Sequence, residues 1–211
     1  MAEKLAAEIR ESGGDVITMK IDHTKEEDCN EMARLTLEKY GRIDILANVA
    51  GVWPRTEGEA AHEGRWQRNR PPGGGFPSFA GSTREDWDRG IDINLNGARN
   101  CTRAVINHMM ERRSGKIVNF SSIAATYDVN SGPYSAAKGA IVTFTRGLAR
   151  EMESYGIQVN CITPPGTLSE RMLGEIERRR QAGQEVDISR YCTPRRLPKA
   201  CFSWFPMPPI I

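Results

Sequence analysis

Apolar positions along the chain fall into two alternating periods. Residues 2–11 (Ala-Glu-Lys-Leu-Ala-Ala-Glu-Ile-Arg-Glu) are rich in helix formers, and Gly13-Gly14 supplies the stop. Val16-Ile-Thr-Met-Lys-Ile21 then reads as a strand that ends in Asp22-His23. Helical spacing returns over 26–40, where Cys29, Met32, Ala33, Thr36 and Tyr40 share one face. A strand over 43–47 follows. After it the pattern predicts a helix over about 85–112, a strand over 116–120, a helix over 134–154, a strand over 157–162 and a helix over 168–180. Short, continuously apolar strands alternating with helices predict an α/β protein: a parallel sheet covered by helices on both faces.

Two stretches break the pattern. Residues 55–81 carry no apolar period and include Pro71-Pro-Gly-Gly-Gly75, so they read as a loop inserted into the domain. Such a loop is either a lid near a substrate mouth or an insertion without a role. Residues 197–211 hold four prolines from Pro198 onward, which forbid a regular helix and deny amide donors to a strand. The expected organisation is one domain over residues 1–196, interrupted at about 55–81, and a divergent proline-rich tail over 197–211. A length of 211 residues suits one core of ordinary size.

Charge narrows the function classes. Lys and Arg number 29 against 27 Asp and Glu, and no stretch interleaves basic with aromatic residues, so a nucleic-acid partner is not expected. The five cysteines (Cys29, Cys101, Cys161, Cys192, Cys201) are odd in number and widely spaced without a Cys-x-x-Cys pair, which predicts neither a disulfide framework nor a metal site. No apolar run is long enough for a membrane span, and charges stand where a signal peptide needs a greasy stretch. A cytoplasmic protein with no membrane partner is the expectation.

Candidate chemistry centres on Tyr134-Ser-Ala-Ala-Lys138. Four residues apart on a helix, the phenol and the ammonium share one face. A cation beside a phenol stabilises the phenolate, which is what proton transfer in a carbonyl/alcohol interconversion needs. Upstream, Gly115-Lys-Ile-Val-Asn-Phe-Ser-Ser122 reads as a strand ending in two hydroxyls, with Ser122 placed to hydrogen-bond the same substrate oxygen. Earlier still lie Asn94-Leu-Asn-Gly97 within a helical pattern and Asp44-Ile-Leu-Ala-Asn48-Val-Ala-Gly51 at a strand end.

Taken in order, these four segments resemble the short-chain dehydrogenase/reductase family, in the branch of 3-oxoacyl-carrier-protein reductases and sugar or polyol dehydrogenases. The resemblance implies a Rossmann-type doubly wound parallel sheet and an NAD- or NADP-dependent oxidoreductase. Such an enzyme interconverts a secondary alcohol and a ketone by hydride transfer. It implies Tyr134 as general acid/base, Ser122 as oxygen ligand, Lys138 as partner of Tyr134 and of the nicotinamide ribose, and Asn94 as anchor of a proton-relay water. No metal is implied.

Cofactor contacts implied by the same likeness are Asp22 and the His23 backbone at the adenine, Asn48, Val49, Ala50 and Gly51, then Tyr134 and Lys138, and Pro164, Gly166 and Thr167 at the nicotinamide end. Asp22 reads equally well as a turn or cap residue. Val49 stands where the family has a second asparagine, and Pro165 where it has a glycine, so a side-chain bond and an amide donor are lost. Small-molecule alcohols or ketones are the implied substrates. Homodimers or homotetramers through the helices at about 85–112 and 134–154 are the implied assembly.

The family's glycine-rich phosphate turn is not in this sequence, since Gly13-Gly14 follows a helix and Gly73 to Gly75 lies in the insertion. By resemblance the sheet is therefore incomplete: the first two strands and the last are missing. In the usual order 3-2-1-4-5-6, losing the first two removes the middle and leaves the strand over 16–21 without its neighbour. A reading of a different class stays open beside the enzyme: a non-catalytic relative that keeps only the association helices.

Overall fold

A computed structural model describes residues 2–51, 83–126, 132–168, 170–189 and 191–193. The expected insertion at 55–81 and the expected tail at 197–211 lie outside the described residues.

The elements follow in chain order. Helix α1 (Ala2–Glu11) and helix α2 (Glu26–Tyr40) come first, then strand β1 (Ile45–Asn48). Helix α3 (Arg84–Ile91) runs through a π turn (Asp92–Asn96) into helix α4 (Gly97–Arg112), which leads to strand β2 (Gly115–Phe120). Helix α5 (Pro133–Met152), strand β3 (Ile157–Ile162) and helix α6 (Glu170–Gln181) complete the described order. Local sequence sets several boundaries. Gly41 closes α2 in the left-handed conformation, its amide bonded to Leu37 O. Thr83 and Asp86 form a reciprocal capping box at the start of α3, and Pro133 occupies the first turn of α5.

The strands lie in the order β1-β2-β3, all parallel, with Ile45 beside Lys116, Ile117 beside Val159 and Phe120 beside Ile162. This is the α/β, Rossmann-type arrangement expected, in incomplete form. The run Val16–Ile21 forms no strand in the described structure, which corrects the strand expected there. A strand exists only through its partner's amides and carbonyls, and none of the described strands lies beside this run to supply them. It lies instead beside α2, bordering with Leu35 and Lys39 a shallow groove of about 310 Å³. A Lys39–Asp15 ion pair at 2.5 Å ties its start to the same helix.

The core sits on one face of the sheet. Ile117, Ile157 and Val159 point into it and meet Val105, Ile106 and Met109 of α4, Met152 of α5 and Ala33 of α2. Burying a side chain such as Ile117 or Met109 stabilises by roughly 1.5–3 kcal/mol. The alternate positions Ile45, Lys116 and Gln158 are exposed, Ile45 to 64%. Among the described residues this sheet thus presents one covered and one open face, where two covered faces were expected. In α2 the core-facing stripe takes in Leu37 rather than Tyr40, which is exposed.

A polar chain crosses this core. Asn48 Nδ2 donates to Asn119 Oδ1 at 2.8 Å and to Thr102 Oγ1 at 3.1 Å. Asn119 Nδ2 donates to Thr145 Oγ1 at 2.9 Å, and Thr145 passes its own proton to Ile141 O at 2.7 Å. The chain therefore links β1, β2, α4 and α5 through groups that are all buried. Asn119→Ala would strip a partner from both Asn48 and Thr145. Urea unfolding is expected to show a loss of about 2–3 kcal/mol with an unchanged m-value.

Candidate active site

Three elements converge on Lys138. Its side chain is 3% exposed, and Nζ donates to the Phe120 carbonyl at the end of β2, at 2.8 Å. The neighbouring Ser121 hydroxyl donates back to Lys138 O at 2.7 Å, so the strand end and the second turn of α5 are bonded twice. Burial pushes the Lys138 ammonium below its ordinary range, opposed by the nearby Cys161 thiol. Burial likewise raises Cys161. Nζ lies 5.7 Å from the centre of the Tyr134 ring, so the expected pairing on one face of α5 is present.

Asn94 and Gly51 complete the cluster. A Cβ built on Gly51 would come within 2.6 Å of Lys138 Nζ and 2.9 Å of Asn94 Oδ1. Only a bare backbone fits between these two polar groups. Asn94 is 1% exposed, and its Nδ2 donates to Gly90 O at 3.0 Å. It sits in the π turn, a distortion that recurs at functional sites because it re-aims one side chain out of the regular helical pattern. Gly90 in turn admits α5: a Cβ there would meet Pro133 at 2.6 Å.

Ser122 caps the short turn that leaves β2, its Oγ accepting from the Ala124 amide at 3.2 Å and keeping its own proton to donate. The Ile123 amide bonds to Pro164 O at 3.0 Å, which lays the 162–164 segment beside this turn. Gly51, Asn94, Lys138 and Tyr134 are thus gathered in one cluster, and Ser122 follows the Ser121 whose hydroxyl bonds to Lys138 O.

Other expected contacts lie elsewhere. The Asn48 side chain belongs to the core network, while Val49, 57% exposed, and Ala50 face outward. Gly166 O accepts from the Cys192 amide at 2.8 Å, the Leu168 amide donates to Cys192 O at 2.9 Å, and Thr167 Oγ1 donates to Pro165 O at 3.3 Å. The backbone around Gly166 and Thr167 is therefore bonded to the Tyr191–Cys192 stretch.

Asp22 forms a turn, its Oδ1 accepting from Thr24 N at 3.1 Å and Thr24 Oγ1 at 2.7 Å, and these bonds hold its carboxyl below the usual range. It borders a groove of about 710 Å³ against Arg84, Asp88 and Arg89 of α3. That groove does not include Tyr134 or Lys138. Sequence reasoning missed the Phe120 carbonyl, the Ser121 hydroxyl and the His23 ring. The doubled serine after an apolar strand was the available signal for the first two.

The family model of the short chain dehydrogenases matches residues 1–181. The chain belongs to the short-chain dehydrogenase/reductase family. It is 31% identical to a 3-oxoacyl-(acyl-carrier-protein) reductase of Synechocystis sp. over 164 residues, which are 77% of this chain and 58% of that protein. The chain thus spans little more than half the length of that relative. It is 28% identical over 200 residues to the 3-oxoacyl-(acyl-carrier-protein) reductase FabG of Staphylococcus epidermidis, covering 89% of this chain and 73% of the relative. The crystal structure of gox2181 superposes with a TM-score of 0.74 at 25% identity, over 94% of this chain and 72% of the other.

The lowered Lys138 pKa carries a sign that can be checked. Between the folded value and the ordinary 10.5, the unfolded chain holds this proton and the folded chain does not. Stability then rises with pH across that window. The difference in unfolding free energy between the wild type and Lys138→Met is expected to move in the wild type's favour as pH rises toward 10.5, measured by denaturant titration at several pH values.

Proposed function

We propose that the protein acts as an NAD(P)-dependent oxidoreductase that interconverts a secondary alcohol and a ketone. The observation that carries this reading is the buried Lys138 ammonium set against the Tyr134 ring on one face of α5. Tyr134 gives its proton to the ketone oxygen, or takes one from the alcohol. Ser122 donates to the same oxygen and so holds the reacting carbon at a fixed distance from the phenol. Lys138 would hold the nicotinamide ribose beside the phenol, and Asn94 anchors a water through which Tyr134 exchanges protons with solvent. A positioned acid/base of this kind contributes about 10²- to 10⁴-fold. Two relatives bear the name of 3-oxoacyl reductases, and a 3-oxo group is a ketone, which supports the direction of reduction.

A bound nicotinamide would supply the hydride acceptor or donor. At the nicotinamide end the residues that would hold the ribose are Tyr134 and Lys138; in this structure Lys138 Nζ is buried, bonded to Phe120 O and packed against the Gly51 backbone. The pyrophosphate end fits poorly, because the sequence has no glycine-rich strand-to-helix turn whose amides would meet it.

Tyr134→Phe is expected to lower turnover by at least about 10²-fold while leaving cofactor affinity nearly unchanged, because the ring stays and only the proton donor leaves. Activity within a factor of about two of the parent would remove Tyr134 from the mechanism. For the 211-residue chain, calorimetry is expected to give a dissociation constant for NAD(H) or NADP(H) of roughly millimolar or weaker. Micromolar binding would mean that another segment has taken over the phosphates.

A further inference from the structure

The carbonyl of Ile93 has lost its helical partner. In a regular α-helix it would accept from the Gly97 amide. In the π turn that amide reaches one residue further back, to Asp92 O. The half-buried ring of His23 takes its place: Nε2 lies 3.0 Å from Ile93 O, across 70 residues of chain. A carbonyl only accepts, so Nε2 must carry the proton.

The ring is tightly housed. A Cβ on Gly97 would overlap His23 Cδ2 and fall 2.5 Å from Nε2, so glycine at that position is what admits the imidazole. The His23 backbone is also fixed, its carbonyl accepting from Cys29 Sγ at 3.4 Å and from Asn100 Nδ2 at 3.3 Å. Helices α2 and α4 therefore both set where the ring stands. Asn94, the next residue after Ile93, is the one the π turn aims at Gly51 and Lys138.

We propose that His23 is a positioning residue whose Nε2–H bond to Ile93 holds the π turn in register and so sets Asn94 against Lys138. Its consequence for turnover rests on the oxidoreductase reading above. The clasp itself rests only on geometry. Any donor of similar reach should serve in place of the imidazole, whereas an apolar side chain of similar size should not.

The test is nitrogen-resolved NMR of the full chain, wild type first, then His23→Gln and His23→Leu. Wild-type spectra are expected to show His23 protonated at Nε2, a measurement that needs no variant to fold. In His23→Leu the Gly97 amide should exchange about five- to tenfold faster, and the Asn94 side-chain amide resonances should move. The amides of Ile117 and Val159 serve as core references, so that local loosening is told from lost stability. His23→Gln should bring Gly97 exchange back to within about twofold of wild type.

Where turnover is measured, His23→Leu should lower kcat with cofactor KM unchanged, and His23→Gln should recover it. A proton on Nδ1 with Nε2 bare would overturn the proposal. So would unchanged Gly97 exchange in His23→Leu, or a loosened turn with kcat unmoved. Failure of the oxidoreductase reading would be seen at Tyr134→Phe instead, and would leave the tautomer and exchange results as they are.

Discussion

A buried ammonium is the constraint from which most of this structure follows. Taking a lysine head group out of water is costly unless it is hydrogen-bonded, and Lys138 meets that need through the Phe120 carbonyl. The bond can form only if the end of β2 meets the second turn of α5, and the Ser121 hydroxyl locks the same two elements from the other side. Docking the helix on the sheet and assembling the reactive cluster are therefore one event. Gly51 and Gly90 serve it by omission, since a Cβ at Gly51 would crowd Lys138 Nζ and one at Gly90 would crowd Pro133 at the start of α5.

The asparagine network beneath the sheet applies the same rule to register. The donors Asn48 Nδ2, Asn119 Nδ2 and Thr145 Oγ1 all find their acceptors at one alignment of β1, β2, α4 and α5. A slip of one residue would leave buried amides unsatisfied, a cost of a few kcal/mol that apolar packing alone does not impose. Asn48 so anchored turns the Val49–Gly51 stretch out of the core and over Lys138. The opposite edge of β1 has no such closure in the described structure. Ile45 is left open on the uncovered face, and Val16–Ile21 stands apart from the sheet it resembles.

Helices α1 and α2, strand β3 and the shared face of Tyr134 and Lys138 were legible in the sequence, because each depends on residues within a few positions of one another. Helix propensity, the glycine stops and the fourfold spacing are local facts. The ordered motifs also carried the family, since their residue types and sequence order survive without any knowledge of distance. What stayed hidden were relations between distant segments. The π turn inserts one residue into a helix without altering its apolar period, so 85–112 read as continuous. The ring of His23 gave no sign of its partner 70 residues away.

The division follows from where each property is stored. By itself the sequence determined the element types, their order, the parallel α/β class and the pairing of phenol with ammonium, all encoded in short-range periodicity and composition. Tertiary structure alone decided that Asn48 is a core link rather than an outward-facing group, and that Lys138 is buried against a backbone carbonyl. It also decided that Val16–Ile21, despite its pattern, is no strand. Burial and pairing are properties of a surrounding. A side chain's surroundings exist only once segments far apart in the chain have met.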